Sequence, residues 1–219
     1  MSLEIKICGL KSAEAMAAAL DCGAHQVGFI FFPKSPRHLT PAEAAALRGA
    51  AVGRAKAVAV TVDADDRTLA DIVSQVEPDI LQLHGRETPA RVAALKDRFG
   101  LTVVKALAVR EAADVAAAEQ YRGVADRLLF DAKPPAGAEL PGGNGLAFDW
   151  RLLGGLDRNL DYMLSGGLNA ANLADALRLA RPAAIDVSSG VERAPGVKDV
   201  RLIAEFFQAV AAMRGAFAA

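Results

Sequence analysis

The stretch YMLSGGLNAANLADALRLARPAAIDVSSGVE, residues 162–192, decides the fold class of this chain. Two short apolar segments, 162–165 and 184–187, flank a segment with helical periodicity that runs from Asn169 to about Ala180. Short apolar runs separated by a helix predict two parallel strands joined by a crossover helix. Each strand is followed at once by a turn of serine and glycine, so we expect the two turns to lie side by side.

The same strand–helix unit recurs along the rest of the chain. Six further strands are predicted before these two: Ile5–Cys8, Gln26–Phe31, Ala57–Val62, Ile80–His84, Thr102–Leu107 and Arg127–Asp131. From capping signals and periodicity, helices are predicted after Ser12, from Thr40, over Asp66–Val76, from Thr88 to Gly100, near Glu111–Tyr121, from near Asp149, from Asn169 to about Ala180, and from about Asp199 to Met213.

The number of these units indicates how the sheet is arranged. Eight units in 219 residues, with no linker between them, predict an α/β chain that forms a single (β/α)8 (TIM) barrel domain over residues 1–219. An open doubly wound sheet is the alternative architecture. A dinucleotide-binding sheet of that kind carries GxGxxG after its first strand, whereas residues 9–12 here read GLKS. The sequence therefore favours the closed barrel.

Composition argues against several classes of function. The net charge is −1 and there is no basic block, so neither nucleic acid nor a membrane surface is expected as a partner. No apolar stretch reaches the ~18–20 residues of a membrane span, and the N-terminus lacks a signal-peptide pattern. Two cysteines, Cys8 and Cys22, do not make a disulfide framework, so a cytoplasmic location is expected. The three histidines are scattered without a CxxC or HExxH motif, so no metal site is predicted.

Glycine and serine in the turns after the last two strands predict an anion site. In (β/α)8 barrels the functional groups lie at the C-terminal ends of the strands, and the loops after strands 7 and 8 frequently bind phosphate. Glycine lets backbone N–H groups approach an anion closely, and serine hydroxyls add donors. Ordinary turn residues are the alternative. The residues predicted to bind a phosphorylated ligand are Gly166, Gly167, Ser188, Ser189 and Gly190.

Cys8 and Asp131 end the first and sixth predicted strands, and they are the candidate base and acid. They come from opposite sides of the predicted barrel mouth, so a ligand can lie between them. Lys6 shares a strand face with Cys8 and would raise its thiolate fraction. Asp186, on the neighbouring strand, is expected to pair with Lys6 inside the barrel because a buried lysine needs a partner. Taken alone, Cys8 could also be an inert core residue.

Two further candidate residues follow the second and fourth strands. Arg37, in the loop KSPRH at 34–38, can hold a carboxylate in a bidentate fork, with an ordinary surface loop as the alternative. His84 is either a donor at the site or a buried barrel histidine. The loop AKPPAGAELPGGNGLA, residues 132–147, is unusually long and follows the strand of Asp131, which favours a lid over a surface insertion.

A set of motifs runs in order through all eight units. They are KICG (6–9), GFIFFPKSPR (28–37), VAVTVD (58–63), LQLHG (81–85), VVKA (103–106), LLFDAKPP (128–135), GGNGLAFDW (142–150), LSGGL (164–168) and DVSSGVE (186–192). In this order they resemble phosphoribosylanthranilate isomerase of tryptophan biosynthesis, and the resemblance covers nearly the whole chain.

The resemblance implies an Amadori rearrangement, which converts N-(5-phosphoribosyl)anthranilate into 1-(2-carboxyphenylamino)-1-deoxyribulose 5-phosphate. By motif position, Asp131 is implied as the general acid and Cys8 as the general base. Arg37 is implied as the binder of the anthranilate carboxylate, and the glycine and serine turns as the phosphate cradle. Two proton transfers need one acid, one base and no cofactor. A monomer and a homodimer both remain open.

The sequence departs from the family pattern at two places and leaves three alternative functions. Asn144 stands where the family often has threonine in a GGTG pattern, and residues 10–12 read LKS where Ile-Thr is more usual. One alternative is a sugar-phosphate epimerase, which metal dependence would support. Another is the synthase that closes the indole ring, for which Lys105 is the candidate catalytic lysine. The third is a non-catalytic binder of a phosphorylated ligand, against which the presence of both Cys8 and Asp131 argues.

Overall fold

The computed structural model of the protein describes residues 3–135, 137–138, 140, 142–143, 145–157 and 160–217, with side chains up to residue 213. Asn144 therefore lies outside the described residues. The eight barrel strands are β1 (Glu4–Cys8), β2 (Gln26–Phe31), β3 (Lys56–Thr61), β4 (Ile80–Leu83), β5 (Thr102–Val109), β6 (Arg127–Ala132), β7 (Tyr162–Leu164) and β8 (Ala184–Val187). All pairings are parallel and in chain order, and β1 pairs with both β2 and β8, which closes the barrel. The predicted (β/α)8 barrel is thus confirmed.

Helices follow the strands on the outside of the barrel. They are α1 (Ala13–Asp21), α2 (Pro41–Arg48), α3 (Asp66–Val76), α4 (Pro89–Phe99), α5 (Ala112–Ala116), α6 (Leu173–Ala180) and α7 (Val200–Phe217). The start of α2 has a full capping box between Thr40 and Glu43, with Pro41 in the first turn, as its sequence predicts. In the described part of the chain, no helix is both long and apolar enough to cross a bilayer.

Three predicted helices differ from the observed ones. The fifth is shorter, because α5 gives way to a 3-10 helix at Ala117–Tyr121. The segment after Asp149 is also a 3-10 helix, Trp150–Gly155. The helix predicted from Asn169 begins later, because the Asn169 side chain accepts hydrogen bonds from two backbone N–H groups in a local turn that occupies the residues before α6.

Alternation along the strands separates a small barrel interior from a large layer under the helices. The apolar interior contains Cys8, Val58, Val60, Ile80, Val104, Ala106, Leu129, Met163 and Ala184. Lys6 and Asp186 also lie inside, fully or almost fully buried, with Lys6 Nζ 3.0 Å from Asp186 Oδ2. This is the ion pair expected from strand alternation. The two residues meet because β1 and β8 are in register at Lys6 and Asp186, just before the C-terminal ends of both strands.

After β8 the chain forms a small hairpin, which the sequence did not predict. A 3-10 turn at Ser189–Val191 leads into β9 (Glu192–Ala194), which pairs antiparallel with β10 (Val197–Lys198). A Cβ on Gly196, whose φ is +78°, would lie 2.4 Å from the carbonyl oxygen of Pro36, so the hairpin tip packs tightly on the loop after β2. The hairpin thereby brings its two charged ends, Glu192 and Lys198, to the barrel mouth.

Candidate active site

A cleft opens at the C-terminal ends of the barrel strands. It collects most of the residues predicted for the site, although they come from six different strand ends. The predicted residues that line it are Cys8, Arg37, His84, Asp131, Gly166, Gly167, Ser188 and Ser189. Gly190 is not among its lining residues. A Cβ at Gly190 would lie 1.8 Å from the carbonyl oxygen of Leu168, so this glycine is required by close packing behind the cleft.

Cys8 lies at the end of β1, almost fully buried, with no disulfide partner. Gly28 on β2 makes space for it, because a Cβ there would be 2.9 Å from the Cys8 sulfur. Burial raises the pKa of the Cys8 thiol, the Lys6 ammonium opposes this rise, and the Asp186 carboxylate adds to it. Lys6 therefore favours the thiolate, as the sequence suggests, but burial outweighs it and Cys8 rests as a thiol.

Asp131 lies across the cleft at the end of β6, held by a backbone N–H and a histidine ring. Its Oδ1 accepts a hydrogen bond from the backbone N–H of Ala132 at 2.8 Å, and its Oδ2 lies 3.2 Å from Nε2 of His84. The amide nitrogen of Gln82 lies 3.2 Å from the other ring nitrogen of His84 and can only donate there. With Nδ1 facing that donor, Nε2 is the ring nitrogen placed to donate a hydrogen bond to Asp131.

The long loop after β6 packs directly over the acid. A Cβ on Gly142 would lie 2.5 Å from Oδ2 of Asp131 and 2.8 Å from Nε2 of His84, so the loop backbone passes close over both side chains. Residues Gly142, Gly143, Gly145 and Leu146 line the cleft. The described part of the 132–147 loop thus forms one wall of the cleft.

The turn after β7 has the geometry that an anion site needs. Gly166 and Gly167 have φ values of +88° and +64°, a left-handed backbone conformation that residues other than glycine rarely adopt. Among the described residues, no acceptor takes a hydrogen bond from the backbone N–H of either glycine. Ser189 begins the adjacent 3-10 turn and also lines the cleft. Ser188 is different, because its hydroxyl donates to the carbonyl oxygen of Cys8 at 3.1 Å.

Arg37 is buried and its bidentate fork is occupied by a protein carboxylate. Nε and Nη2 each lie 2.8 Å from one oxygen of Glu192, and Nη2 also donates to the carbonyl oxygen of Gly143 at 3.2 Å. Among the described residues, Nη1 has no hydrogen-bond partner. The sequence predicts that this fork holds a ligand carboxylate, whereas in the structure two of its nitrogens hold Glu192. Nη1 remains available for a ligand.

Glu192 and Lys198 are the site residues that the sequence reasoning missed. Although burial alone would raise the pKa of Glu192, Arg37 and Lys198 hold it below its usual value. Burial lowers the pKa of Lys198 despite the opposing Glu192 carboxylate. The only available signal was the SSGVE motif itself, since a single glutamate and a single lysine six residues apart have no pattern that reveals a hairpin.

Lys105 does not lie at the barrel mouth. On β5 it lies between Val104 and Ala106, which both face the barrel interior, so its side chain faces the surrounding helices. There it is buried, with only 1% of the side chain exposed. Its Nζ bonds to Glu87 at 2.8 Å and to the carbonyl oxygen of Gly85 at 2.7 Å. Lys105 therefore does not supply the cleft lysine that the indole-ring synthase alternative requires. For the epimerase alternative, the described residues contain no group of three or more potential metal ligands.

A cleft of this kind, with a thiol and a carboxylate at the mouth of a closed parallel barrel, belongs to the (β/α)8-barrel enzymes that catalyse proton transfer. Comparison with known proteins defines the family. A family model described as N-(5'phosphoribosyl)anthranilate (PRA) isomerase matches residues 5–209. The N-(5'-phosphoribosyl)anthranilate isomerases of Brucella canis and Brucella abortus are each 67% identical over 211 residues, which cover 96% of this chain and 95% of theirs. The chain belongs to the N-(5'-phosphoribosyl)anthranilate isomerase family.

Solved structures agree with this assignment. The phosphoribosylanthranilate isomerase from Thermotoga maritima superposes with a TM-score of 0.87 at 33% identity, covering 96% of this chain and 100% of that one. A phosphoribosylanthranilate isomerase in complex with reduced 1-(o-carboxyphenylamino)-1-deoxyribulose 5-phosphate has a TM-score of 0.84 at 32% identity, with the same coverage. A further structure is of monomers generated from the dimeric Thermotoga maritima enzyme, with a TM-score of 0.83.

Proposed function

We propose that the protein uses Asp131 as general acid and Cys8 as general base to isomerise N-(5-phosphoribosyl)anthranilate to 1-(2-carboxyphenylamino)-1-deoxyribulose 5-phosphate. The protein is an isomerase of L-tryptophan biosynthesis, as its family is. The observation that carries the residue assignment is that a thiol and a carboxylic acid from different strands line the same cleft, Cys8 from β1 and Asp131 from β6.

The reaction divides into two proton transfers that match these two groups. Asp131 protonates the furanose ring oxygen, the bond from that oxygen to C1 breaks, and an iminium at C1 results. Cys8, as thiolate, then takes the proton from C2, whose acidity the iminium raises. The enolamine formed gains a proton at C1 and loses one from the C2 hydroxyl, which gives the ketone. Each positioned acid or base accelerates such a step by ~10²–10⁴.

The surroundings of Asp131 support its role as the acid. The carboxylate left after proton donation accepts hydrogen bonds from Ala132 N–H and from Nε2 of His84, and these stabilise its charge. Gly142 above it restricts water. His84 contacts Asp131, so we propose that it orients the acid as well as lining the substrate cleft.

The remaining polar groups are proposed to orient the substrate. Gly166, Gly167 and Ser189 bind the phosphate, and Arg37 binds the anthranilate carboxylate through Nη1. Ser188 and Gly190 shape this end of the cleft, because Ser188 is bonded to Cys8 and Gly190 packs behind the turn. Binding energy from the phosphate, remote from the reacting carbons, would hold C1 and C2 against the acid and base.

We also propose that the chain acts as one barrel domain in the cytoplasm, as a monomer or a homodimer. Support for a reducing compartment comes from Cys8 and Cys22, which are both free. Light scattering of the purified protein would distinguish the two oligomeric states.

The test is an assay in which phosphoribosylanthranilate is generated in situ and the loss of its fluorescence is followed. Wild-type protein should turn the substrate over, and Asp131→Asn and Cys8→Ala should each lower kcat by ~10²–10⁴. Cys22→Ala is the matched control, since it removes the other free thiol outside the cleft. Absence of turnover by the wild type would overturn the function, and full activity of Cys8→Ala would overturn the base assignment.

A further inference from the structure

A buried ion pair joins the two ends of the hairpin beside the cleft. Lys198 Nζ lies 2.7 Å from Oε1 of Glu192, and the two side chains are only 2% and 3% exposed. Replacing a buried ion pair with apolar residues of similar size is often neutral or stabilising, so fold stability alone does not explain such a pair. Its contacts at either end suggest another role.

One end of the pair fixes Arg37. Glu192 accepts two parallel hydrogen bonds, from Nε and Nη2, each at 2.8 Å. A bidentate carboxylate of this kind fixes both the position and the plane of a guanidinium group. Because those two nitrogens are held, the orientation of Nη1 is also fixed. A Cβ on Gly143 would lie 2.7 Å from Nη1, so only glycine leaves this nitrogen enough space.

The other end of the pair reaches the strand that carries Cys8. Lys198 Nζ donates to the carbonyl oxygen of Ser188 at 2.9 Å and to its hydroxyl oxygen at 3.2 Å. The Ser188 hydroxyl in turn donates to the carbonyl oxygen of Cys8 at 3.1 Å. A continuous series of hydrogen bonds therefore leads from the Arg37 guanidinium to the backbone of the candidate base.

The charges of this cluster match an anionic ligand. Arg37 and Lys198 carry two positive charges and Glu192 carries one negative charge, so the three side chains leave one positive charge uncompensated. All three are almost entirely removed from solvent. An excess buried charge is unfavourable until a counter-charge reaches it. The carboxylate of the substrate would supply that charge at Nη1.

We propose that Glu192 and Lys198 are positioning residues, which fix Arg37 for the substrate carboxylate at one end and the Cys8 end of β1 at the other. This inference rests on the proposed function, in which Arg37 binds that carboxylate. By fixing Arg37, Glu192 strengthens binding of the substrate carboxylate equally in the ground state and in the transition state. Loss of Glu192 should therefore raise KM. Lys198 acts through Ser188 on the position of the base, so its loss lowers kcat more than it raises KM.

The decisive experiment compares two ligands by titration calorimetry. One is the reduced product analogue, 1-(o-carboxyphenylamino)-1-deoxyribulose 5-phosphate in reduced form, and the other is the same compound without the carboxyl group. Glu192→Gln keeps the size of the side chain but removes its charge. We expect it to weaken binding of the first ligand by about tenfold and of the second by less than about twofold, since a charge-assisted hydrogen bond is lost only in the first case.

Arg37→Ala provides the reference in the same experiment. It should discriminate between the two ligands in the same direction, and adding Glu192→Gln to it should cause no further loss, because both act through one guanidinium. If Arg37→Ala weakens both ligands equally, the proposed role of Arg37 is wrong and this inference is wrong with it. If Arg37→Ala discriminates and Glu192→Gln does not, only the positioning role is overturned.

Steady-state kinetics test the Lys198 end. Lys198→Met should reduce kcat by about tenfold with a smaller change in KM, whereas Glu192→Gln should mainly raise KM. Equal effects of both substitutions on kcat and KM would mean that the pair is merely structural. Should Glu192→Gln not fold, Glu192→Asp, which keeps the charge but shortens the reach to Arg37, makes the same ligand comparison.

Discussion

The two sides of the cleft hold their reactive groups by opposite means. Cys8 is surrounded by full charges, with Lys6 and Asp186 beneath it and Lys198 behind it. Asp131 is held by the His84 ring and a backbone N–H, under a glycine of the loop after β6. The pKa of the Cys8 thiol thus depends on burial and on the buried charges around it. The reactivity of the carboxylate is set by short contacts, so the two sides should respond differently to substitution.

The largest effect is expected where a buried charge loses its partner. Lys6→Met leaves Asp186 buried inside the barrel, and Oδ1 of Asp186 already has no partner among the described residues. Breaking a buried pair in this way costs about 3–5 kcal/mol of unfolding free energy. Denaturant melts followed by circular dichroism measure the loss. The double variant Lys6→Met/Asp186→Asn should recover more than half of it, and a double variant as unstable as the single one would contradict the account.

The acid side should respond in activity instead of stability. Gly142→Ala places a methyl group 2.5 Å from Oδ2 of Asp131, so the acid or the loop must shift. A displacement of about 1 Å at a catalytic group costs ~10²-fold in rate, and we expect a loss of that order in kcat/KM. Gly154→Ala is the matched control, because a Cβ there meets nothing within 4 Å. Unchanged kinetics in Gly142→Ala would show that the loop does not constrain the acid.

The sequence predicts features that depend on local patterns and misses those that depend on contacts between distant segments. Strand and helix units follow from local periodicity, and the Lys6–Asp186 pair follows from alternation once β1 and β8 are neighbours. The cleft residues at strand ends then follow from the topology of the barrel. Glu192 and Lys198 could not be predicted, because their pairing depends on a hairpin with no local signature and on Arg37, 155 positions away in the sequence.

Other differences have equally physical reasons. The fork of Arg37 was expected to face a ligand, but nothing in the sequence around residue 37 reveals that a protein carboxylate already fills it. Ser188 is predicted to contact phosphate, and the structure adds that its hydroxyl donates to the carbonyl oxygen of Cys8. In both cases the residue was predicted at the right end of the barrel, and only its hydrogen-bond partner was unpredictable. Partner choice depends on side-chain packing across distant segments, which periodicity does not report.

The smallest predicted effect is a shift in pH dependence that belongs to the thiol side alone. If Cys8 is the base, kcat/KM rises with pH as the free thiol ionises, and burial places this rise above the ordinary thiol pKa of about 8.5. The charged groups that act on Cys8 are Lys6, Lys198 and Asp186. Asp186→Asn removes an anion that raises the pKa of Cys8, so the rising limb should move to lower pH. Lys198→Met removes a cation that lowers it, so the limb should move to higher pH.

The two shifts are expected to have opposite signs, because Asp186 raises the pKa of Cys8 and Lys198 lowers it. The profiles are measured as kcat/KM between pH 6 and about 10, within the range where thiols titrate. Gly142→Ala serves as the comparison from the acid side, because it alters the contacts of Asp131 without changing any charge near Cys8. In this variant the rising limb of kcat/KM should stay at the same pH, while the height of the profile falls. Shifts of the same sign in Asp186→Asn and Lys198→Met would mean that the rising limb does not follow ionisation of the Cys8 thiol. The proposed electrostatic difference between the Cys8 side and the Asp131 side of the cleft would then be wrong.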